Sequence, residues 1–290
     1  MTAQFYLGLD AGGSRCRARV ADRQRRVLGE GEGGPANTRL GAAAVRETML
    51  STARKAIDAA NLGEDAVARM AMAAGVAGIS RAGMEQAIEA LQFPFARASF
   101  VSDGMIANLG AHGGADGAIL VIGTGSVAHV RHRGESFSIG GYGFPISDEG
   151  SGAALGLSAM RHALRALDGR TKPTPLSSAV TAPFAHETVQ AIAWMDRATP
   201  TDYAALAPLV MDFAEAADEI ARSIVVDAAL HIERFIETIF QRGATRCALA
   251  GGLAPRMRPW LRERIVSRLV EAQGDPLDGA LYLAGLRLPV

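Results

Sequence analysis

Two hydrophobic periods take turns along this chain. In FYLGLDAGGSRCRARVADRQRRVLGEGE, residues 5–32, Cys16, Ala18 and Val20 alternate with Arg15, Arg17 and Arg19. That two-residue period is the pattern of a half-buried strand. A glycine turn precedes it and a polar hairpin follows, which predicts strand, turn, strand, hairpin, strand. From Ala42 to Ala60 the period lengthens, and Val45, Met49, Ala53, Ile57 and Ala60 share one helical face, with Gly63 as a stop. RMAMAAGVAGIS, residues 69–80, then reads as a buried strand ending in a glycine turn. RAGMEQAIEALQF reads as a helix, and ASFVSDGMIANLGA as a strand entering another helix.

The pattern then starts again. AILVIGTGSVAHVRHRGESFSIGG, residues 118–141, repeats the apolar strand, the glycine-hydroxyl turn, the second strand, the polar hairpin and the third strand, with Ser14 and Ser126 in equivalent places. Helices are predicted over 150–167, 182–193 and 213–241, the last carrying Ile220, Ile224, Ala228, Ile232, Ile236 and Phe240 on one face. RCALAGGLAP, residues 246–255, mirrors the glycine-ended strand of the first half. The repeat is one of element order, since the two halves do not match residue by residue. It predicts an α/β protein of two domains, 1–112 and 113–290, divided near the loop-like LGAHGGA at 109–115.

Composition narrows what such a protein does. A chain of 290 residues is long enough for two cores. Thirty basic and thirty acidic residues cancel, so no charge excess favours nucleic acid or an acidic membrane surface. Cys16 and Cys247 stand far apart with no C-x-x-C, which fits a reduced, cytoplasmic protein better than a disulfide scaffold or an iron-sulfur or zinc site. The longest apolar run, MAMAAGVAGI, falls short of the roughly 20 residues that cross a bilayer. MTAQFYLGLDAGG lacks the basic lead of a signal peptide and reads as a strand that starts almost at once.

Asp10 ends the first strand, just before Ala-Gly-Gly-Ser. Glycines there let backbone N–H groups approach an oxyanion, and the carboxylate can hold a hydrated hard cation. A hairpin with Asp as turn former is the plainer alternative. Gly123, Thr124, Gly125 and Ser126 form the second turn, without a carboxylate but with two hydroxyls. Two such turns, one opening each half, would clasp a polyphosphate across a cleft. Competing phosphate motifs are missing: Lys55 and Lys172 are the two lysines and neither follows a glycine, so there is no P-loop, and GLDAGG is not a dinucleotide fingerprint.

Asp103 in FVSDGMIAN stands between a short strand and a helix. It can cap the helix or accept a proton from a substrate hydroxyl. GGYGFPISDEGSGAALGL, residues 140–157, is the densest polar-glycine stretch. Asp148, Glu149 and Ser151 can cap a helix there, or, with Tyr142, meet the hydroxyls and ring of a sugar. Asn37 and Thr38 add hydrogen-bonding groups in another loop. The histidines at 112, 129, 132, 162, 186 and 231 show no metal-ligand spacing and read as structural or solvent-facing.

Taken in order, LGLDAGGSRCRARV, NTRL, FVSDGMIA, ILVIGTGSVA, GGYGFPISDEGSGAALGL, LAGGLAP and DPLDGALYLA resemble the BadF/BadG/BcrA/BcrD group of the actin-like ATPase and sugar kinase superfamily, over residues 5 to about 285. Within it the chain is similar to bacterial glucosamine and N-acetylglucosamine kinases. The resemblance implies an actin-like ATPase (ribonuclease H-like) fold, duplicated in two domains around a central cleft. It implies a cytoplasmic kinase that uses ATP and Mg²⁺ to phosphorylate the 6-hydroxyl of an amino sugar, and it suggests a homodimer.

By that resemblance Asp10, Gly12, Gly13 and Ser14 form the first phosphate motif, with Asp10 holding Mg²⁺ through water. Gly123, Thr124, Gly125 and Ser126 form the second, and Gly251 and Gly252 lie against adenosine. Asp103 would be the base, and Asn37, Thr38, Gly141, Tyr142, Gly143, Asp148 and Glu149 would line the sugar pocket. Domain closure would expel water from the site. Two features depart from the pattern: many relatives have Trp where this chain has Tyr142, and the helical region 170–210 falls outside the resemblance. The activator branch with an iron-sulfur cluster and the zinc-bearing branch both need cysteine clusters that this sequence lacks. A non-catalytic ATP or sugar-binding regulator, or an ATPase activator of the same fold, is the competing expectation. Such a protein has no use for a base, so the presence of both Asp10 and Asp103 favours the enzyme.

Overall fold

The computed structural model describes residues 4–286. It divides into two units, one made of residues 1–117 and 271–290, the other of 118–270. In the first unit β1 (Phe5–Ala11), β2 (Cys16–Asp22) and β3 (Val27–Gly33) form the expected antiparallel meander. β4 (Ala71–Val76) and β5 (Arg97–Ser102) then add in parallel beside β1, giving the order β3-β2-β1-β4-β5. The helices are α1 (Ala42–Ala59), α2 (Glu64–Val67), α3 (Met84–Glu89) and α4 (Asp103–Ala111).

The alternation in β2 is observed as read, with Cys16, Ala18 and Val20 fully buried and the intervening arginines partly exposed. Val45, Met49, Ala53 and Ile57 of α1 are buried against the sheet. Gly29, Gly31 and Gly33 alternate along β3 because α1 lies directly on it: a Cβ at Gly29 would stand 2.3 Å from Ala56 O, and one at Gly31 2.6 Å from Thr52 O.

The second unit repeats the plan. β6 (Gly117–Ile122), β7 (Ser126–His132) and β8 (Glu135–Gly140) come first, and β9 (Cys247–Ala250) and β10 (Leu269–Val270) complete the order β10-β9-β6-β7-β8. Each sheet thus runs third, second, first, fourth, fifth. Between them lie α5 (Gly152–Leu167), α6 (Pro175–Thr181), α7 (Thr188–Met195), α8 (Pro200–Ala204), α9 (Ala207–Glu215), α10 (Glu219–Gln241), α11 (Ala254–Met257) and α12 (Glu263–Val266). Among the described residues no helix is long and apolar enough to cross a membrane.

Three expectations are corrected. The single helix predicted over 213–241 is two, because Ala217 takes φ +66° and Asp218 starts a new helix by accepting from Ile220 N and Ala221 N, each at 3.0 Å. The helix predicted over 182–193 is a short 3-10 turn, Ala182–Phe184, and then α7, because Ala185 at φ +50° and His186 at φ +59° break the chain between them. The linear split into 1–112 and 113–290 misses the return of the chain: the final helix, α13 (Pro276–Leu283), belongs to the first unit. The terminal residues 1–3 and 287–290 of those ranges lie outside the described residues.

α13 is seated by glycine and charge. A Cβ at Gly279 would lie 1.8 Å from Ile106 O of α4, and one at Gly110 1.9 Å from Asp275 O, so the two helices cross in backbone contact. Arg19 of β2 donates to both oxygens of Asp275 at 3.0 Å and to Asp278 at 2.7 Å, holding the helix by its cap.

Candidate functional site

In the first unit the candidate residues gather at the carboxyl ends of the parallel strands, the place where open α/β sheets bind ligands. Asp10 stands opposite Arg17 across the β1–β2 hairpin, and Arg17 Nη2 donates to Asp10 Oδ2 at 2.7 Å. Asp10 Oδ1 has no hydrogen-bond partner among the described residues. The following turn closes on one bond, Gly12 N to Arg15 O at 3.0 Å. Gly13 and Ser14 are exposed, and their amides meet no backbone acceptor among the described residues. Free N–H groups in a tight turn form a concavity suited to an oxyanion.

The loop carrying Asn37 is clipped to that turn by Ala36 N to Gly12 O at 3.0 Å and by Asn37 Nδ2 to Gly13 O at 3.4 Å. Thr38 points the other way. It is buried, and its hydroxyl donates to Gly78 O at 2.9 Å, so it supports the loop from beneath instead of lining a surface.

Asp103 is relieved of the capping role that the sequence left open for it. Ser102 caps α4 by accepting from Met105 N at 3.2 Å, while Asp103 is the first helical residue and accepts from Gly104 N through Oδ1 at 2.9 Å. Gly75 of β4, register partner of Asp10, makes room for this: a Cβ there would lie 2.4 Å from Ile106 and 3.1 Å from Asp103 Cα.

In the second unit the turn after β6 closes on Gly123 N to Gly125 O at 2.9 Å. The first turn of α5 takes up its carbonyls, with Gly152 N donating to Gly123 O at 2.8 Å and Ala153 N to Thr124 O at 3.1 Å. Lone pairs that would repel phosphate are thereby occupied. The amides of Thr124 and Gly125 meet no acceptor among the described residues, and Thr124 is exposed. The equivalence of the two serines is corrected here: Ser126 opens β7 as Cys16 opens β2, both buried, and Thr124 holds the place of Ser14. Ser126 Oγ donates to Glu149 O at 2.7 Å and Ser126 N to Asp148 Oδ1 at 3.3 Å.

Gly251, at φ +91°, runs against the end of β6, where a Cβ would stand 2.3 Å from Ile122 O. Gly252 beside it is exposed, with open space around its Cα. In the loop 140–150, Gly141 at φ +73° and Gly143 at φ +105° present Tyr142, which is 86% exposed. Ser147 Oγ accepts from Tyr142 N at 3.3 Å and donates to Glu149 Oε2 at 3.4 Å. Ser151 caps α5 by accepting from Ala154 N, so the capping reading holds for Ser151 while Asp148 and Glu149 stand before the helix.

Phe144 turns inward. Its ring lies 5.1 Å from Tyr203, which lies 5.0 Å from Trp194, which lies 5.6 Å from Phe184. The region 170–210, to which the sequence assigned no part, is the packed support of this loop. Sequence reading also missed Arg17 and Ser147. For Arg17 a signal existed, since a four-residue turn over 12–15 sets Ala11 against Cys16 and therefore Asp10 against Arg17.

Neither cysteine is a nucleophile, because burial pushes the Cys16 thiol up to about 11 and the Cys247 thiol up to about 12. Among the described residues no three His, Cys, Asp or Glu side chains converge on a metal position. Asp10 offers one uncommitted oxygen. That donor set fits Mg²⁺, which keeps most of its waters and takes one or two carboxylates with phosphate oxygens.

Comparison with known proteins gives the same direction. The chain is 34% identical over 281 residues, 97% of its length and 96% of the relative's, to glucosamine kinase GspK of Vibrio cholerae. It is 26% identical to the N-acetylmuramic acid/N-acetylglucosamine kinase of Clostridium acetobutylicum, covering 86% of this chain and 85% of that one. A crystal structure of an N-acetylglucosamine kinase candidate from Chromobacterium violaceum superposes with a TM-score of 0.90 at 34% identity, over 97% of this chain and 99% of the other. A ROK family glucokinase from Streptomyces griseus shares the fold at 15% identity and a TM-score of 0.58, over 96% and 98% of the two chains. The duplicated α/β architecture is that of the actin-like ATPase and sugar kinase folds. The model of the BadF/BadG/BcrA/BcrD ATPase family matches residues 7–284, and the chain belongs to that family.

Proposed function

We propose that this protein is an ATP-dependent amino-sugar kinase that transfers the γ-phosphoryl group to the 6-hydroxyl of glucosamine or N-acetylglucosamine, yielding the 6-phosphate and ADP. The observation that carries this reading is Asp103, a carboxylate at the end of a parallel strand whose capping duty is performed by Ser102. The 34% identity to a glucosamine kinase over nearly the whole chain supports the substrate class.

Phosphoryl transfer asks for alignment and charge neutralisation more than for a strong base. In this reading Asp103 accepts a hydrogen bond from the sugar hydroxyl, orients it, and takes its proton as the new P–O bond forms and the bond to the ADP oxygen breaks. The amides of Gly13, Ser14, Thr124 and Gly125 receive phosphate oxygens, and Gly251 and Gly252 leave space for the adenosine. Asp10 would hold Mg²⁺, which when bound would supply charge neutralisation for the transferring phosphoryl group. Asn37, Gly141, Tyr142, Gly143, Asp148 and Glu149 recognise the sugar, polar groups taking hydroxyls and the Tyr142 ring covering a face. ATP as phosphoryl donor sets the reaction in the cytoplasm.

Coupled ADP release with glucosamine, N-acetylglucosamine, glucose and N-acetylmannosamine tests the reading. An amino sugar is expected to stimulate release most strongly. No stimulation by any of the four would favour a non-catalytic regulator and overturn the proposal.

A further inference from the structure

Ser126 follows the turn Gly123–Gly125 directly, and both of its donors enter the segment that closes the loop 140–150. Its hydroxyl donates to Glu149 O at 2.7 Å and its amide to Asp148 Oδ1 at 3.3 Å. The residue is 2% exposed, so water does not compete for either bond. Val127, next in the strand, pairs with Gly140 and presses on Gly141, where a Cβ would lie 2.7 Å from Val127 Cγ2. Both ends of the loop are therefore tied to two adjacent residues. From Glu149 the bonding continues through Ser147 Oγ to Tyr142 N at the loop's exposed tip. A hydroxyl is not something the hairpin itself requires. The equivalent residue of the first unit is Cys16, whose thiol is a weak donor.

We infer that Ser126 is a positioning residue that couples the nucleotide turn to the sugar loop, resting on the amino-sugar kinase reading. Phosphate seated on the Thr124 and Gly125 amides fixes the turn, Ser126 transmits that order to Asp148 and Glu149, and the loop meets the sugar already formed. Coupling between two sites is reciprocal, so sugar strengthens nucleotide binding by the same factor.

Calorimetry of glucosamine or N-acetylglucosamine binding, with and without ADP, measures that factor. ADP is expected to tighten sugar binding by about tenfold in the unaltered protein, well within the usual range of coupled sites. Ser126→Ala is expected to reduce the factor below about threefold. Ser126→Thr, which retains the hydroxyl, is expected to stay close to the unaltered protein. Hydrogen exchange on the unaltered protein gives an independent reading if Ser126→Ala does not fold: ADP alone should slow amide exchange over residues 141–149. The inference is overturned by a factor of one in the unaltered protein, by an unchanged factor in Ser126→Ala, by equal losses in the Ala and Thr variants, or by exchange at 141–149 that ignores ADP. Sugar-dependent ADP release by the unaltered protein reports on the kinase reading separately, so its presence beside an unmoved factor removes the coupling alone.

Discussion

Asp10 and Asp103 close the ends of β1 and β5, two strands that flank β4, and Gly75 of β4 is both the register partner of Asp10 and the residue that leaves room for the Asp103 backbone. Two strand spacings separate the carboxylates by on the order of 10 Å, with a glycine between them. The two groups are thus held by one sheet. Asp103→Asn keeps the shape and the bond to Gly104 N but gives up the proton acceptor. Its kcat for sugar-dependent ADP formation is expected to fall by about 10²- to 10⁴-fold, the usual weight of a general base, with nucleotide affinity unchanged. Turnover near that of the unaltered enzyme would remove Asp103 from the role.

Phe144 anchors the loop 140–150, the proposed sugar loop, on Tyr203 and, through it, on Trp194. Phe144→Ala leaves Tyr142, Asp148 and Glu149 in place but takes away the fixed base of the loop. The expected outcome is a KM for the sugar raised about tenfold and a KM for ATP moved less than about twofold, in keeping with a loss of preorganisation at one ligand. Steady-state kinetics with each substrate varied in turn checks it, and equal rises in both KM values would refute it.

Gly279→Ala puts a methyl carbon where Ile106 O stands, at 1.8 Å, and backbone on both sides leaves nothing flexible to yield. Overpacking of this kind is expected to cost about 3 kcal/mol or more. Thermal unfolding followed by circular dichroism should show a melting temperature lower by many degrees, and a change of a degree or less would mean that α4 and α13 can separate without loss.

Acid should weaken the second unit through Asp218. Burial acts to raise its carboxyl, but the amides of Ala221, Leu176 and Ile220 outweigh it and hold the group below the usual carboxylate range. An unfolded Asp titrates near pH 4, so below that the unfolded chain binds the proton first. The stability Asp218 supplies is therefore complete above about pH 5 and is lost as pH falls through the folded value. Asp218→Asn is expected to cost about 1 kcal/mol at pH 7 and to flatten the loss of stability between about pH 5 and pH 3, measured by denaturant melts across that range. A variant with the unaltered slope would assign the acid sensitivity elsewhere.

The succession of elements was legible in both units, apart from the two-residue edge strand β10, because it rests on local patterns: the alternation in 15–20, the helical face of 42–60 and the glycine-ended apolar runs. Asp10, Gly13, Thr124 and Asp103 were legible for a related reason, since each stands at a change from strand to turn or helix that the chain itself marks. What escaped were relations between distant segments. Nothing around Thr38 says that Gly78 O will take its hydroxyl, and nothing beside Ser126 says that Glu149 O will take its own. Asp218 looked like one more polar residue on a long helix until the left-handed Ala217 before it made it a cap. The destination of residues 271–290 was hidden most completely, because the glycines that admit α13 lie on α4 and β1, far back in the sequence.

That return of α13 sets a clock on synthesis. Domains made on the ribosome fold in the order in which they emerge, at about 5–20 residues per second. Here the first unit is interrupted by the whole of the second and receives its last helix only when residues 276–283 appear. The unit begun first is the one completed last, and for on the order of 10 s the bare groove along Gly8, Gly110 and Ile106 faces the surrounding medium. Ribosomes stalled late in the message would release a finished second unit beside an unfinished first.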